Sequence, residues 1–139
     1  RQLYELLHGV EVEEVGFIKH PSIERTGASP DGLVGDHGMV EIKCPASKTH
    51  SQFLIDQKIN RKYQLQMLWQ MECTGRKWCD FVSYDPRFPA ELQLSVKRVE
   101  FDEVEALQTR EKVVSFVEEM EQLLAQIEQI REKANASNK

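Results

Sequence analysis

No apolar run in this 139-residue chain approaches the roughly 20 residues that cross a bilayer, and no segment reads as a secretory signal. Cysteine is scarce. Cys44, Cys73 and Cys79 are odd in number and form no C-x-x-C pair, which argues against a disulfide framework, a cysteine-rich zinc site and an all-cysteine iron–sulfur cluster. Reduced thiols fit a cytoplasmic setting. The four histidines, His8, His20, His37 and His50, are scattered without H-x-x-x-H spacing, so no histidine metal site is expected. Gly-rich phosphate loops, nucleophile-elbow serines, internal repeats and low-complexity segments are also missing.

An excess of positive charge is absent too. The net charge is −5, which at first speaks against nucleic acid. Its location weakens that objection. Residues 1–98 carry 13 acidic and 13 basic side chains, whereas residues 99–139 carry 10 and 5. The first part is neutral before any cation binds, so charge alone neither supports nor excludes a DNA surface.

The chain is organised around Ser29-Pro30-Asp31-Gly32 and, nine residues after Gly32, Glu41-Ile42-Lys43. Leu33-Val34 is apolar, Gly35-Asp36-His37-Gly38 is a turn signal, and Met39 to Lys43 alternates apolar and polar residues. The pattern predicts a β-hairpin over about 28–35 and 38–44, with its turn centred between Asp36 and His37 and Asp31 opposite Ile42. Glu41 and Lys43, two apart on a strand, share one face. Two carboxylates and a carbonyl are hard oxygen donors suited to Mg2+ or Mn2+. A neighbouring lysine suits charge stabilisation on a phosphate or management of a water. On spacing alone, an exposed hairpin with ordinary surface charges is the commoner meaning of E-x-K.

The string SPDGLVGDHGMVEIKCP resembles the phage lambda exonuclease branch, the viral-recombinase type, of the PD-(D/E)XK nuclease superfamily. Tyr63-Gln64-Leu65-Gln66 and Tyr84-Asp85-Pro86-Arg87 agree in order and spacing, and the likeness runs from Arg1 to about Val99. The resemblance implies that Asp31, Glu41 and the Ile42 backbone carbonyl hold Mg2+, with Mn2+ as the other choice. It implies that Lys43 and Gln66 manage the attacking water. Gln66 stands one helical turn from Tyr63; Gln64 and Gln70 are expected elsewhere on the helix. Ser29, Tyr63 and Lys48 are weaker substrate-binding candidates. Arg61, Lys62, Arg76 and Lys77 are candidates for backbone contacts that position DNA without reading sequence. The family also places a metal-binding glutamate and a 5′-phosphate-binding arginine upstream of the region matching Arg1, so the chain reads as a piece of a longer protein.

The expected fold is α+β (α/β): a restriction-endonuclease-like core, a mixed β-sheet flanked by helices, with a C-terminal helix. The expected order is a helix ending at His8, a strand over Val10–Ile18, the hairpin and a short helix around Gln52–Asp56. A helix over Arg61–Cys73 and a second hairpin over Trp78–Tyr84 and Leu92–Lys97 follow. Cys44 is expected to be a small core residue. Residues 1–100 form the nuclease core. Residues 101–133 form an amphipathic helix of the same domain, with Val113, Phe116, Met120, Leu123, Ile127 and Ile130 at heptad spacing. Residues 134–139 are expected to be a disordered tail.

The function this implies is a metal-dependent deoxyribonuclease, a 5′-to-3′ exonuclease degrading one strand of double-stranded DNA from its ends in phage-type recombination. By resemblance it would be a homotrimer that hands its exposed strand to a single-strand annealing protein in a bacterial cytoplasm, with phage or prophage origin. Two rivals stand beside it: a structure-specific or restriction-like endonuclease on the same fold, and a non-catalytic DNA-binding or assembly module.

Overall fold

The computed structural model describes residues 1–138. The chain divides into two compact units, one of Arg1–Ala106 and a second from Leu107 onward. In the first, a five-stranded mixed sheet has the order β1-β4-β5-β6-β7. Its strands are β1 Val12–Glu13, β4 Gly32–Val34, β5 Gly38–Lys43, β6 Trp78–Tyr84 and β7 Leu94–Glu100. Only β5 and β6 run parallel; the other pairs are antiparallel. Strands β2 Ile18–Lys19 and β3 Gly27–Ala28 form a separate small ribbon. The helices of this unit are α1 Gln2–His8, α2 Ser47–Asp56 and α3 Arg61–Thr74.

Period-2 alternation on β5 and β6 divides the core into two layers. Met39, Cys79 and Phe81 pack with Phe53, Ile59, Met67 and Met71 of the α2–α3 side. Val40 and Val82 pack with Tyr4, Val12 and Val34 on the α1 side. By this alternation Glu41 and Lys43 fall on the α2–α3 face, while Ile42 turns toward the α1 face, where it packs against the second layer. The single parallel pairing needs a long crossover, and residues 44–77, with α2 and α3, supply it.

Several expectations need correction. The strand expected over Val10–Ile18 is instead two fragments in different sheets. Val15-Gly16-Phe17 breaks it, and Phe17 is exposed. The hairpin register is Gly32↔Val40, Leu33↔Met39 and Val34↔Gly38, so its turn centres on Asp36. Gly35 adopts φ 56, which glycine tolerates best, and this makes a three-residue loop. Continuing that register by one step puts Asp31 opposite Glu41, on the same face, rather than opposite Ile42. Gly32 is required by close approach: a Cβ there would lie 2.2 Å from Val12 Cγ1.

Cys44 is exposed, not core, because β5 ends at Lys43 and Pro45 follows. The second hairpin has its first strand where expected, but its second strand starts later. Ala90–Leu92 is a short 3-10 turn with Leu92 exposed, and β7 continues to Glu100. Helix α2 starts at Ser47, five residues before the expected Gln52. Helix α4 runs unbroken over Glu103–Ser137, so the residues expected to fray from Ala134 are helical to Ser137, and Lys139 lies outside the described residues. Ala134 and Ala136 are strong helix formers, which explains the extension. The unit boundary after Ala106 leaves only the first turn of α4 with the core.

Candidate active site

Asp31 is the exposed residue just before β4. Its Oδ2 accepts a hydrogen bond from the Ile42 backbone N–H at 2.8 Å, which ties the two strand ends together. Glu41 is 4% exposed, a burial that an ionised carboxylate tolerates only with partners. One oxygen has one: Lys43 Nζ lies 2.9 Å from Glu41 Oε1. The other, Oε2, is buried with no hydrogen-bond partner. Lys43 also lies over the Tyr63 ring, 4.4 Å from its centroid, a cation–π contact. Partial burial works against its charge. The hydrogen bond and field of Glu41, helped by Tyr63 and Asp31, more than offset that and raise its pKa above the ordinary lysine value. Lys43 therefore stands as a protonated donor.

The unpartnered buried oxygen of Glu41 is what a hard divalent cation would satisfy, with Asp31, opposite Glu41 by the continued register, and the Ile42 carbonyl as the further donors it would need. Among the described residues no group of three His, Cys, Asp or Glu side chains converges. Two carboxylates and a carbonyl would instead suit an oxygen-liking ion that keeps several waters.

Helix α3 brings Tyr63 to this face. Gln66 lies one turn further on and is exposed. Gln70, expected elsewhere, stands seven residues from Tyr63 and so returns to the same stripe. Its Oε1 is buried without a partner. Ser29 and Lys48 are both exposed, and no described side-chain bond joins either to the Asp31–Glu41–Lys43 group.

Three buried polar networks frame the site; sequence reading singled out Tyr84–Arg87 as a motif but foresaw none of the bonds. Asp85 is fully buried; it accepts hydrogen bonds from Ser47 Oγ at 2.7 Å and from Arg87 Nε at 2.8 Å. Arg87 also donates to the Pro45 carbonyl, so the Tyr84–Arg87 motif clamps the chain just after Lys43. The Arg87 bonds first, then that of Ser47, hold the Asp85 carboxyl well below the usual carboxylate range against the opposing effect of burial. His50 Nε2–H donates to the Leu92 carbonyl at 2.8 Å, which leaves Nδ1 to accept from Ser83 Oγ at 2.7 Å. His20 Nδ1 accepts the Ser22 and Ile23 backbone N–H groups, its Nε2–H meets Glu72, and its ring stacks on Trp69. That anchors the loop leading into Ser29 onto α3. His20 precedes Pro21 in a turn-prone stretch, whereas His50 lies inside α2 and carries no such cue.

Sheet topology and the hairpin site together define a nuclease core of the PD-(D/E)XK type. The family model of the YqaJ-like viral recombinase domain matches residues 1–77, and the chain belongs to that family. No curated protein sequence matches it. Among solved structures it is similar to an alkaline exonuclease, LHK-Exo, from Laribacter hongkongensis: 46% identity, TM-score 0.88, covering 96% of this chain and 68% of that one. The same exonuclease solved in complex with dAMP matches equally, covering 67% of that chain. A phage-related exonuclease from Haemophilus somnus, 15% identical with a TM-score of 0.61, covers 82% of this chain and 61% of that one and shares the fold. The chain is accordingly a nuclease. No helix among the described residues is long and apolar enough to cross a membrane.

Proposed function

We propose that this chain is the catalytic core of a Mg2+-dependent exodeoxyribonuclease that degrades one strand of double-stranded DNA from its ends, 5′-to-3′, in phage-type recombination. The observation that carries the reading is the buried, unpartnered Oε2 of Glu41, whose other oxygen is salt-bridged to Lys43. Asp31, Glu41 and the Ile42 carbonyl would hold the ion, with Mn2+ able to replace Mg2+. When bound, it supplies Lewis-acid polarisation of the phosphate and lowers the pKa of a water. Lys43 donates hydrogen bonds toward the phosphate and the attacking water; the Tyr63 ring, 4.4 Å from the ammonium, helps hold it by a cation–π contact. Gln66, exposed one turn along α3 from Tyr63, would orient that water or the phosphate. Ser29 and Lys48 contribute outer phosphate contacts, which position DNA without reading bases. A homotrimer around the duplex and a single-strand annealing protein as recipient complete the proposal; both rest on the family likeness. The dAMP held by the Laribacter enzyme agrees with a mononucleotide product.

The test offers linear duplex labelled at either end, with a 5′-phosphate or a 5′-hydroxyl, alongside covalently closed circles, in Mg2+ and in EDTA. Release of labelled mononucleotide from the 5′ end in Mg2+ only is expected. Cutting of closed circles would instead indicate the endonuclease, and no cleavage with no metal binding would indicate the assembly module. Asp31→Asn, Glu41→Gln and Lys43→Ala should each lower cleavage by at least ~100-fold while the chain still folds, and Gln66→Ala should cost less. Wild-type cleavage in any of the first three removes that residue from the mechanism.

A further inference from the structure

Strands β5 and β6 run parallel in the register Lys43↔Ser83, so their C-terminal ends meet on one edge of the sheet. The Tyr84–Arg87 motif begins as β6 ends at that edge, and it takes no part in the metal-centred chemistry. Asp85 is 0% exposed at its side chain, whereas the Arg87 side chain is 63% exposed. The pair thus turns its carboxylate inward and its guanidinium outward. Asp85 holds one edge of that guanidinium, Nε at 2.8 Å and Nη2 at 3.2 Å. Nη2 also donates to the Pro45 carbonyl at 3.3 Å, and the Arg87 backbone N–H donates to Asp85 Oδ1 at 3.0 Å. The two N–H groups of Nη1 make no hydrogen bond among the described residues. We infer that Arg87 is a docking point for DNA: its Nη1 edge receives a backbone phosphate of the strand whose neighbouring phosphate lies at Lys43. The inference rests on the nuclease reading above.

Compensating the buried charge of Asp85 uses the Nε–Nη2 edge, which leaves the Nη1 edge for a ligand. A planar guanidinium suits a phosphate, whose oxygens accept its N–H donors in fixed directions. Asp85 and the Pro45 carbonyl fix the plane of the guanidinium, and an Asx turn fixes the backbone beneath it. The freedom that a loose surface arginine loses on binding is therefore already lost on folding. Two extended residues, about 7 Å of chain, lead from Lys43 to Pro45, whose carbonyl Arg87 touches. That step is comparable with the one between successive phosphates of a strand. Lys48, exposed on the first turn of α2 beside the Ser47 that also bonds Asp85, adds the net positive charge that the Asp85–Arg87 pair lacks. A contact of this kind positions the strand without reading bases, as an enzyme advancing along any sequence requires.

Methylphosphonate substitution, which makes one chosen phosphate neutral, tests the contact by binding in Ca2+, without turnover. Short 5′-phosphorylated duplexes carry the substitution at each of the first few phosphates of that strand in turn. In wild type, one position beside the scissile phosphate should weaken binding at least about tenfold, the low end of what one charge-assisted hydrogen bond contributes. In the double variant Asp85→Asn with Arg87→Gln, which leaves no buried charge unpaired, the same substitution should weaken binding less than about twofold, because the two changes remove one shared contact. A purely structural role would lower stability and leave the two substitution profiles parallel. Phenylglyoxal labelling of the wild-type chain needs no variant and guards against a folding failure of the double variant: bound duplex should suppress modification of Arg87. Parallel profiles in the two folded chains, or Arg87 modified equally with and without bound duplex, overturn the inference. A coupled phosphate in a wild type that hydrolyses no DNA in Mg2+ upholds the contact and defeats the nuclease reading. Mg2+-dependent hydrolysis with parallel profiles does the reverse.

Discussion

Lys43→Ala should unbalance the site in a way that separates a metal centre from an ordinary surface hairpin. Wild-type Glu41 has one carboxylate oxygen on Lys43 Nζ and the other buried without a partner. Its side chain is 6% exposed and that of Lys43 is 29% exposed. Removing the lysine leaves a buried carboxylate uncompensated, which costs about 3–5 kcal/mol when both partners are deeply buried. The partial exposure of Lys43 argues for the lower end, about 3 kcal/mol. At this chain length that lowers the melting temperature by roughly 10 °C in EDTA. Glu41→Gln should be milder, within about 1 kcal/mol, because the amide oxygen still accepts from Lys43 and no buried charge remains. Magnesium reverses the order. An ion at a hundred times its dissociation constant adds about 2.7 kcal/mol to a chain that binds it only when folded. Wild type and Lys43→Ala should both rise, the latter more because the ion replaces the lost positive charge, while Glu41→Gln should not respond. Circular-dichroism melts of the three chains in EDTA and in Mg2+ read this directly. A Lys43→Ala chain that melts within ~2 °C of wild type in EDTA, or a Glu41→Gln chain that keeps the wild-type metal shift, refutes the reasoning.

Asp85, held below the ordinary carboxylate range chiefly by Arg87, contributes stability that is present above its unfolded pKa of about 3.9 and lost as pH falls through the folded value. Melting temperatures taken at steps from about pH 5 downward should fall less steeply in Asp85→Asn than in wild type. Gly32→Ala should cost about 1–3 kcal/mol in urea unfolding because its methyl meets Val12 Cγ1; adding Val12→Ala should recover part of that loss. At pH 8 one thiol, that of exposed Cys44, should react quickly with a disulfide reagent. Cys73, pushed up to about 11 mainly by burial, and the fully buried Cys79 should react only after unfolding; two fast thiols in the folded protein would count against this packing.

The parts of the fold legible in the sequence were those set by local alternation and spacing. Met39 to Lys43 and Trp78 to Tyr84 read as strands because every second residue belongs to a different core layer. Helix α3 read correctly to within a residue because its apolar repeat ends just before Gly75. Val10–Ile18 misled because its Val and Phe content favours a strand anywhere, while Gly16 and the needs of two different sheets divide it. The pairings of His20, His50 and Asp85 were illegible. Their partners lie 52, 33 and 38 residues away, and sequence spacing carries no trace of such pairings. Cys44 was misread because alternation was continued one residue past the end of the strand.

The one-residue error in hairpin register bears most directly on the chemistry. Centred between Asp36 and His37, the turn would set Asp31 opposite Ile42 and on the opposite face from Glu41. Two carboxylates on opposite faces of a sheet cannot serve one ion. Gly35 in a left-handed conformation moves the centre to Asp36, and the side of Asp31 then becomes that of Glu41 and Lys43. The motif was therefore recognisable from residue identity alone, whereas its ability to act depends on a turn conformation that glycine at position 35 favours. A substitution at Gly35 that shifts the register would separate the acids without touching either of them; it should abolish metal-induced stabilisation and, because the same shift turns Leu33 out of the α2–α3 core layer, lower the melting temperature in EDTA as well.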